Sequence, residues 1–292
     1  MHRYLELVQE VLNEGIWQNN RTGIRTKSIA GAMLKFDLQA GFPVVTTRRA
    51  PVKGAIGEMI GFLRGYTNAE DFKKVGCPFW TANANQTPSW LASPYRRGDN
   101  DLGQIYGHFW RHWTGDDGST IDQVQNVLDS LHRDPTSRRL VVSGWKVEAI
   151  AQGRGALPPC HVSWHLMADV EKKELSLCMW QRSCDLILGI GGGNIVGYAF
   201  LLAWIARLTG YTPRHLVMHL DDVHIYENHI EGALTQIGRV PQALPTLVFD
   251  EALPDYRRDG VFKPEWIDRI EPDQVWLNNY VSLEPIRFEM AV

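Results

Sequence analysis

The sequence predicts an α+β fold in a single domain, with helices surrounding a mixed, largely antiparallel sheet. Three observations carry this. Two strand-like runs, "CHVSWHLMAD" and "ELSLCMWQRS", are joined by the charged turn "VEKKE", the mark of a hairpin. The segment "NIVGYAFLLAWIARLTG" is apolar nearly all round, as a helix at the centre of a core is. No internal repeat, low-complexity tract or linker divides the chain, so residues 1–292 read as one unit.

The elements follow in order. Tyr4, Leu5, Val8 and Leu12 recur at helical spacing, and Gly15 closes that first helix. "RTGIRTKSIAGAMLKFDL" reads as a turn followed by strand segments. In "AIGEMIGFLRGYTNAEDF" helical periodicity returns, with Ile56, Met59, Ile60 and Leu63 on one face. The stretch from Pro78 to Asn100, rich in Pro, Asn, Ser, Gly and Arg, reads as a long loop, with a variable insertion at about 81–100. "STIDQVQNVLDSLHRDP" is a helix capped by Ser119 or Thr120 and ended before Pro135. "RRLVVSGW" is a strand that leads to the hairpin.

Composition sets the class. A chain of 292 residues, 44% hydrophobic and 22% charged, is long enough to bury a sizeable core. A formal charge of -3 offers no global field for duplex nucleic acid or an anionic membrane. No apolar run reads as a spanning helix, and the start "MHRYLELVQEVLNEG" is amphipathic rather than a signal peptide. Cys77, Cys160, Cys178 and Cys184 form no CxxC pair, so reduced thiols in a cytoplasm are expected, a host's cytoplasm if the source is viral.

The stretch "ALPPCHVSWH" raises the possibility of a nucleophile. In an extended chain successive side chains alternate faces, so His161 is expected to point away from Cys160. Activation of the thiol then has to come from elsewhere, most plausibly an arginine; the bland alternative is an inert buried cysteine. Anion ligands are in good supply: "SRR" (Ser137, Arg138, Arg139), "QRS" (Gln181, Arg182, Ser183), Arg21 in "NNRTG", and Arg48 and Arg49 in "TTRR". Each alone is an ordinary surface charge, but hairpin geometry brings Arg182 and Cys160 to neighbouring strands. "LGIGGGN" is a weak phosphate-loop match; Asn194 reads as the cap of the apolar helix, with the glycines forming the turn into it. His219, His224 and His229 lie five apart, a spacing that turns about 140° on a helix, and share no metal site. Glu58, set among apolar helix positions, is either a solvated edge or a carboxylate in a polar cavity fit for acid–base work.

These segments resemble, in order and spacing, those of the folate-dependent thymidylate synthase family: "RTG", "FPVVTTRR", "DLGQIYGHFWRHW", "DPTSRRLVVSGW", "LPPCH", "QRSCDLILG", "NIVGYA" and "HIYENH". The resemblance covers essentially the whole chain. It implies one-carbon transfer to C5 of a pyrimidine deoxynucleotide, with 5,10-methylenetetrahydrofolate as co-substrate and no metal. Cys160 resembles the nucleophile that adds to C6, Glu58 the carboxylate that manages protons through water, and Tyr106 a helper in removing the C5 proton. Arg21, Arg182 and Ser183 resemble phosphate ligands, with Gln181 beside them, and His224 and Tyr226 resemble ribose ligands. Arg138 and Arg139 resemble the pair that reaches the other subunit's phosphate site, implying a sheet-packed homodimer. Asp185 looks like the pterin carboxylate; Arg48, Trp80, Leu188, Gly189 and Ala291 look like further folate contacts. Asn194 looks like the side chain that reads the base edge.

Two departures from the family pattern stand out. Pro-Phe-Asn before the helix is replaced by "GIGGGN", one residue longer, and "TANANQ" follows Phe79 and Trp80 where two acidic residues and a second Trp are usual. The main expectation is therefore a thymidylate synthase acting on dUMP, whose edge an amide at Asn194 matches. The alternative is a dUMP or dCMP hydroxymethylase of the kind found in viruses with modified DNA. A non-catalytic binder of nucleotide or messenger RNA is a third reading, against which Cys160, Glu58 and Arg182 speak.

Overall fold

A computed structural model describes residues 1–290; Ala291, expected at the folate site, lies outside the described residues. The chain opens with helix α1 (His2–Glu14), whose buried face is Tyr4, Leu7, Val8 and Val11. The predicted face was rotated: Leu5 and Leu12 are only half-buried, because the i, i+3, i+4, i+7 stripe starts at Tyr4. Strands β1 (Ile16–Gln18), β2 (Thr26–Ile29) and β3 (Ala32–Asp37) follow, then α2 (Val52–Leu63), buried along nearly all its length.

The stretch expected to be a long loop is partly helical. Thr81–Gln86 and Pro88–Leu91 form two short helices, the second opened by a proline that needs no N–H partner there. Trp90 is fully buried and its indole N–H donates to the Asp101 carbonyl over 2.6 Å, so an aromatic anchor orders a polar, Pro-rich segment. Helices α3 (Tyr106–Arg111) and α4 (Gln123–Arg133) come next. The cap of α4 is Asp122, not Ser119 or Thr120: its side chain accepts from Gln125 N–H, while Thr120–Ile121 pairs with Trp113–Thr114 as a small ribbon.

The main sheet has five strands. β4 (Val141–Ser143) pairs with β5 (His161–Asp169), which forms the expected hairpin with β6 (Glu174–Gln181). The two-residue strand β7 (Cys184–Asp185) leads through Leu186–Asn194 into α5 (Ile195–Thr209), then β8 (Thr212–Leu220), β9 (Val223–Tyr226) and α6 (Ile230–Ile237). In the sheet the order is β3-β8-β6-β5-β4, with β8 parallel to β6 and the remaining pairs antiparallel. A second sheet, β1-β2-β9-β7, stands beside it. Leu175, Leu177 and Met179 of β6 and Trp164 and Leu166 of β5 turn inward by strand alternation; β6 packs against α5, and Trp164 meets Trp110 of α3 edge to face.

The run Leu186–Thr209 is 24 residues long and apolar enough by composition to cross a membrane, which the sequence reading did not recognise. In its most apolar 18-residue stretch 83% of the residues are buried inside the protein, and its apolar surface faces the sheet and α2. Gly210 ends it in the left-handed region at φ 79, donating its N–H to the Ala206 carbonyl.

Candidate active site

The inward row of β6 ends at Gln181, and the chain beyond it crosses to the start of β5. Arg182 N–H donates to the Cys160 carbonyl over 3.0 Å, which fixes the two residues on neighbouring strand ends, as the hairpin predicted. The Arg182 guanidinium folds back on the proline pair: Nε donates to Pro159 O (3.0 Å) and Nη2 to Pro158 O (3.1 Å), with Trp145 beneath it at 5.1 Å. Both proline carbonyls are thus acceptors for one planar arginine fork. From the other side, Cys160 N–H donates to the Tyr106 hydroxyl over 2.9 Å.

Cys160 lies in a cavity of about 520 Å³. Its lining includes Glu58, Trp80 and Tyr106 on one wall, and Gln181, Arg182, Ser183, Asp185, Gly189 and Asn194 on another. His224 and Tyr226 of β9 and Arg21 from the loop before β2 complete the rim. Glu58, on the cavity side of α2, accepts from Trp80 Nε1 at 3.0 Å. Burial raises its carboxyl to about 7 against the lowering effect of that indole bond, so the solvated-edge alternative is excluded. Tyr106 is buried, and that burial holds its phenol well above its ordinary range.

His161 corrects the expectation of strict alternation. The pairing of β5 with β6 slips between His161 and Ser163, a bulge that turns both His161 and Val162 inward. His161 therefore lines the same cavity as Cys160. Burial lowers it to about 4, offset in part by Asn194, and its Nδ1 has no partner among the described residues. A neutral ring bound to Asn194 is a wall of the site, not the base of a Cys–His pair.

Asn194 does not cap α5. Its backbone is already helical and its side chain caps nothing; instead Oδ1 accepts from Gln181 Nε2 at 3.2 Å. The capping role falls to Asp185, whose Oδ1 accepts from the N–H groups of Ile187 and Leu188 at 2.9 and 3.0 Å. None of the glycines in "GIGGGN" has positive φ, so they form no turn; they lie within a helical winding.

Some predicted ligands lie elsewhere. Arg48 is buried away from the cavity, bonded through Nε to Gln236 Oε1 (3.1 Å) and through Nη2 to Ile187 O (2.6 Å). Leu188 is half-buried and outside the lining, and Arg138 and Arg139 are exposed before β4, apart from this chain's cavity. The three histidines disperse: His219 is exposed on β8, His224 lines the cavity, and His229 is buried with Nε2 on Glu289 O.

Sequence reading missed Asp222, Phe62, Gln18 at the end of β1 and the loop residues Asn19 and Asn20, all in the lining. Asp222 sits at φ 32 in the tight turn between β8 and β9, a conformation Asp tolerates better than most residues. Its carbonyl lies 2.9 Å from His224 Nδ1 and its carboxylate 3.5 Å away. Burial works against the His224 proton, but Asp222 outweighs it and the ring is raised above its ordinary value. The signal in sequence was the doublet "DD" just before "VHIY".

Comparison with known proteins agrees with this geometry. The thymidylate synthase family matches residues 2–292. Over 326 aligned positions spanning the whole of both chains, this protein is 42% identical to the thymidylate synthase of Pseudomonas putida (strain KT2440). It is 39% identical to that of Bordetella parapertussis and 41% to that of Pseudomonas syringae pv. tomato, again over the full length of both. With a thiol, a carboxylate of raised pKa and an arginine fork meeting in one cavity, and with similarity from end to end, the chain belongs to the thymidylate synthase family of methyl-transferring enzymes.

Proposed function

We propose that this cavity methylates dUMP to dTMP, with Cys160 as nucleophile and 5,10-methylenetetrahydrofolate as one-carbon donor. The observation that carries the reading is the meeting of Cys160, Glu58 and Asn194 around one space. A uracil ring is a poor nucleophile at C5. Addition of the Cys160 thiolate to C6 moves the ring electrons into an enolate and makes C5 electron-rich. Arg21, Arg182 and Ser183 would hold the phosphate, placing positive charge near the thiol, and His224 and Tyr226 the ribose. An amide at Asn194 donates to uracil O4 and accepts from N3–H. Glu58, poised near neutrality, can take and return protons through water, and Tyr106 beside Cys160 can assist removal of the C5 proton.

The folate co-substrate supplies the methylene carbon and the hydride that reduces it. Trp80 on one wall, facing Gly189 and the Asp185 carboxylate on the other, offers a flat aromatic surface and one acidic acceptor, a set suited to a flat hydrogen-bonding ring. Arg48 would serve it indirectly, by holding Ile187 O at the start of the winding that carries Gly189. The hydroxymethylase alternative is not favoured, since the full-length relatives near 40% identity are named thymidylate synthases.

A cytoplasmic homodimer completes the proposal. The outer face of the sheet bears exposed Met33, Val141, Met167 and Trp180, an apolar surface that a second copy would cover. Arg138 and Arg139 would then reach the partner's phosphate site. Mass spectrometry of the products from dUMP and, separately, dCMP tests the reaction. A methylated uracil product with dihydrofolate is expected; a hydroxymethyl product, or turnover of dCMP alone, would overturn it. Sedimentation tests the dimer.

A further inference from the structure

A second depression, of about 570 Å³, shares no lining residue with the catalytic cavity. Helix α3 serves both: Tyr106 lines the catalytic cavity, and His108, two residues and about 200° further round, lines the depression. Separate chain segments meet there, and backbone bonds lock them together. Leu102 N–H donates to Thr67 O and Gln104 N–H to Arg154 O, each over 2.8 Å. Gly103 sits at φ 63, where a Cβ would lie 2.3 Å from Arg154 O. Gly65 sits at φ 68, where a Cβ would lie 2.8 Å from His112 Nε2. Both approaches need glycine, so the position of Arg154 and the room for His112 are built into the backbone.

Donors without partners converge on this space. Thr67, Tyr95, Gln104, His108, His112 and Arg154 line it, and none of their side chains makes a hydrogen bond among the described residues. Arg154 is the sharpest case. Its Nε is buried without a partner, and Glu148 comes only to 3.6 Å from Nη2, beyond hydrogen-bond reach. The Tyr95 ring holds the guanidinium from one face at 5.4 Å.

The surrounding charge has one sign. Among the described residues no carboxylate lines the depression. Arg97 also lines it, and pairs with Asp101 at 3.0 Å. Burial, and then the charges of His112, Arg97 and Lys146, lower His108 to about 4. A ring so placed gains a proton readily once an anion offsets those charges. His108 and His112, with ring centroids 5.9 Å apart, are also spaced as a metal-binding pair would be, but the arginines beside them repel a cation.

We infer that this depression is a second anion site, separate from catalysis, which takes a phosphoryl group on Arg154 with His108, His112 and Gln104 as further donors. Arginine suits the role because its planar fork matches phosphate oxygens. The volume exceeds what one phosphate fills and is that of a small-molecule site, so a phosphomonoester fits as well as the free ion.

Titration of the full chain with inorganic phosphate and, separately, glycerol 3-phosphate tests this by NMR of the histidine rings, assigned with His108→Gln and His112→Gln. The two rings should shift together with one dissociation constant, distinct from that of any shift at His224 in the catalytic cavity. The His108 titration should move upward as the site fills. Arg154→Gln should weaken binding by about 10-fold or more. Tighter binding of glycerol 3-phosphate marks an organic phosphate and equal binding the free ion; either upholds the site. No saturable shift up to about 10 mM of both probes would overturn the inference. So would a shift that sodium chloride reproduces at equal ionic strength, or one that Arg154→Gln leaves unchanged. A response to Zn²⁺ with none to phosphate would overturn it in favour of a metal pair. If Arg154→Gln does not fold, unchanged phosphate affinity in His112→Gln, read at His108, overturns it instead.

Discussion

The indole N–H of Trp80 donates to the Glu58 carboxylate across 3.0 Å, and it is the one side-chain bond set against the burial of that acid. Burial wins, so Glu58 holds its proton up to about pH 7 in the folded protein and releases it near 4.5 when unfolded. The folded state binds more protons between those values, so stability falls as pH rises from 4.5 to about 7. Glu58→Gln should melt close to the parent's temperature near pH 4.5 and higher above pH 7, by an amount worth about 3 kcal/mol. Its turnover should fall by about 100-fold or more. Melting curves across pH and steady-state rates check both.

Loss of the indole bond alone should act in the opposite sense on the same acid. Trp80→Phe removes the donor that favours the carboxylate, so the limb of the pH–rate profile governed by Glu58 should move upward. An unmoved limb would separate Glu58 from the titration.

Cys160→Ala should abolish turnover while dUMP binding remains measurable by calorimetry, because the phosphate, ribose and base contacts lie on other residues. Substantial residual turnover would refute the assigned nucleophile.

Arg182 both faces the cavity and clamps the carbonyls of Pro158 and Pro159. Lysine retains the charge but cannot span two carbonyls as a planar fork. Arg182→Lys should therefore lower kcat as well as raise KM, with a combined loss of about 100-fold in kcat/KM. A pure KM effect would mean that only its charge matters.

The His224 ring is raised because Asp222 outweighs the cost of burying its charge. A raised folded pKa contributes stability that is complete below about 6.5 and is lost as pH rises through the folded value. Asp222→Asn should lower the His224 titration seen by NMR, and its stability deficit relative to the parent should shrink above that pH.

Much of this was legible in the sequence where a local rule had no competitor. The β5–β6 hairpin followed from two strand runs and a charged turn, and placed Arg182 beside Cys160. Reading failed where a distant partner decided the outcome. His161 turned inward because one bulge shifts the register, which alternation alone cannot reveal. Thr81–Leu91 folded into helices because Trp90 found a buried slot, although its composition signals a loop. Arg48 sits in a "TTRR" motif that looks like a ligand, yet its donors are spent on Gln236 and Ile187. The winding of "GIGGGN" was the least legible feature, since glycine preferences point equally to a turn, and only the bond from Ile195 to Ile190 distinguishes them.

The long apolar helix sets a timing problem for the newly made chain. Its Leu186–Thr209 segment would satisfy a membrane-insertion machinery on length and hydropathy alone. Part of what covers it, β8, is synthesised only afterwards. Until then its apolar surface has only α2 and the β5–β6 hairpin, both made earlier, to pack against.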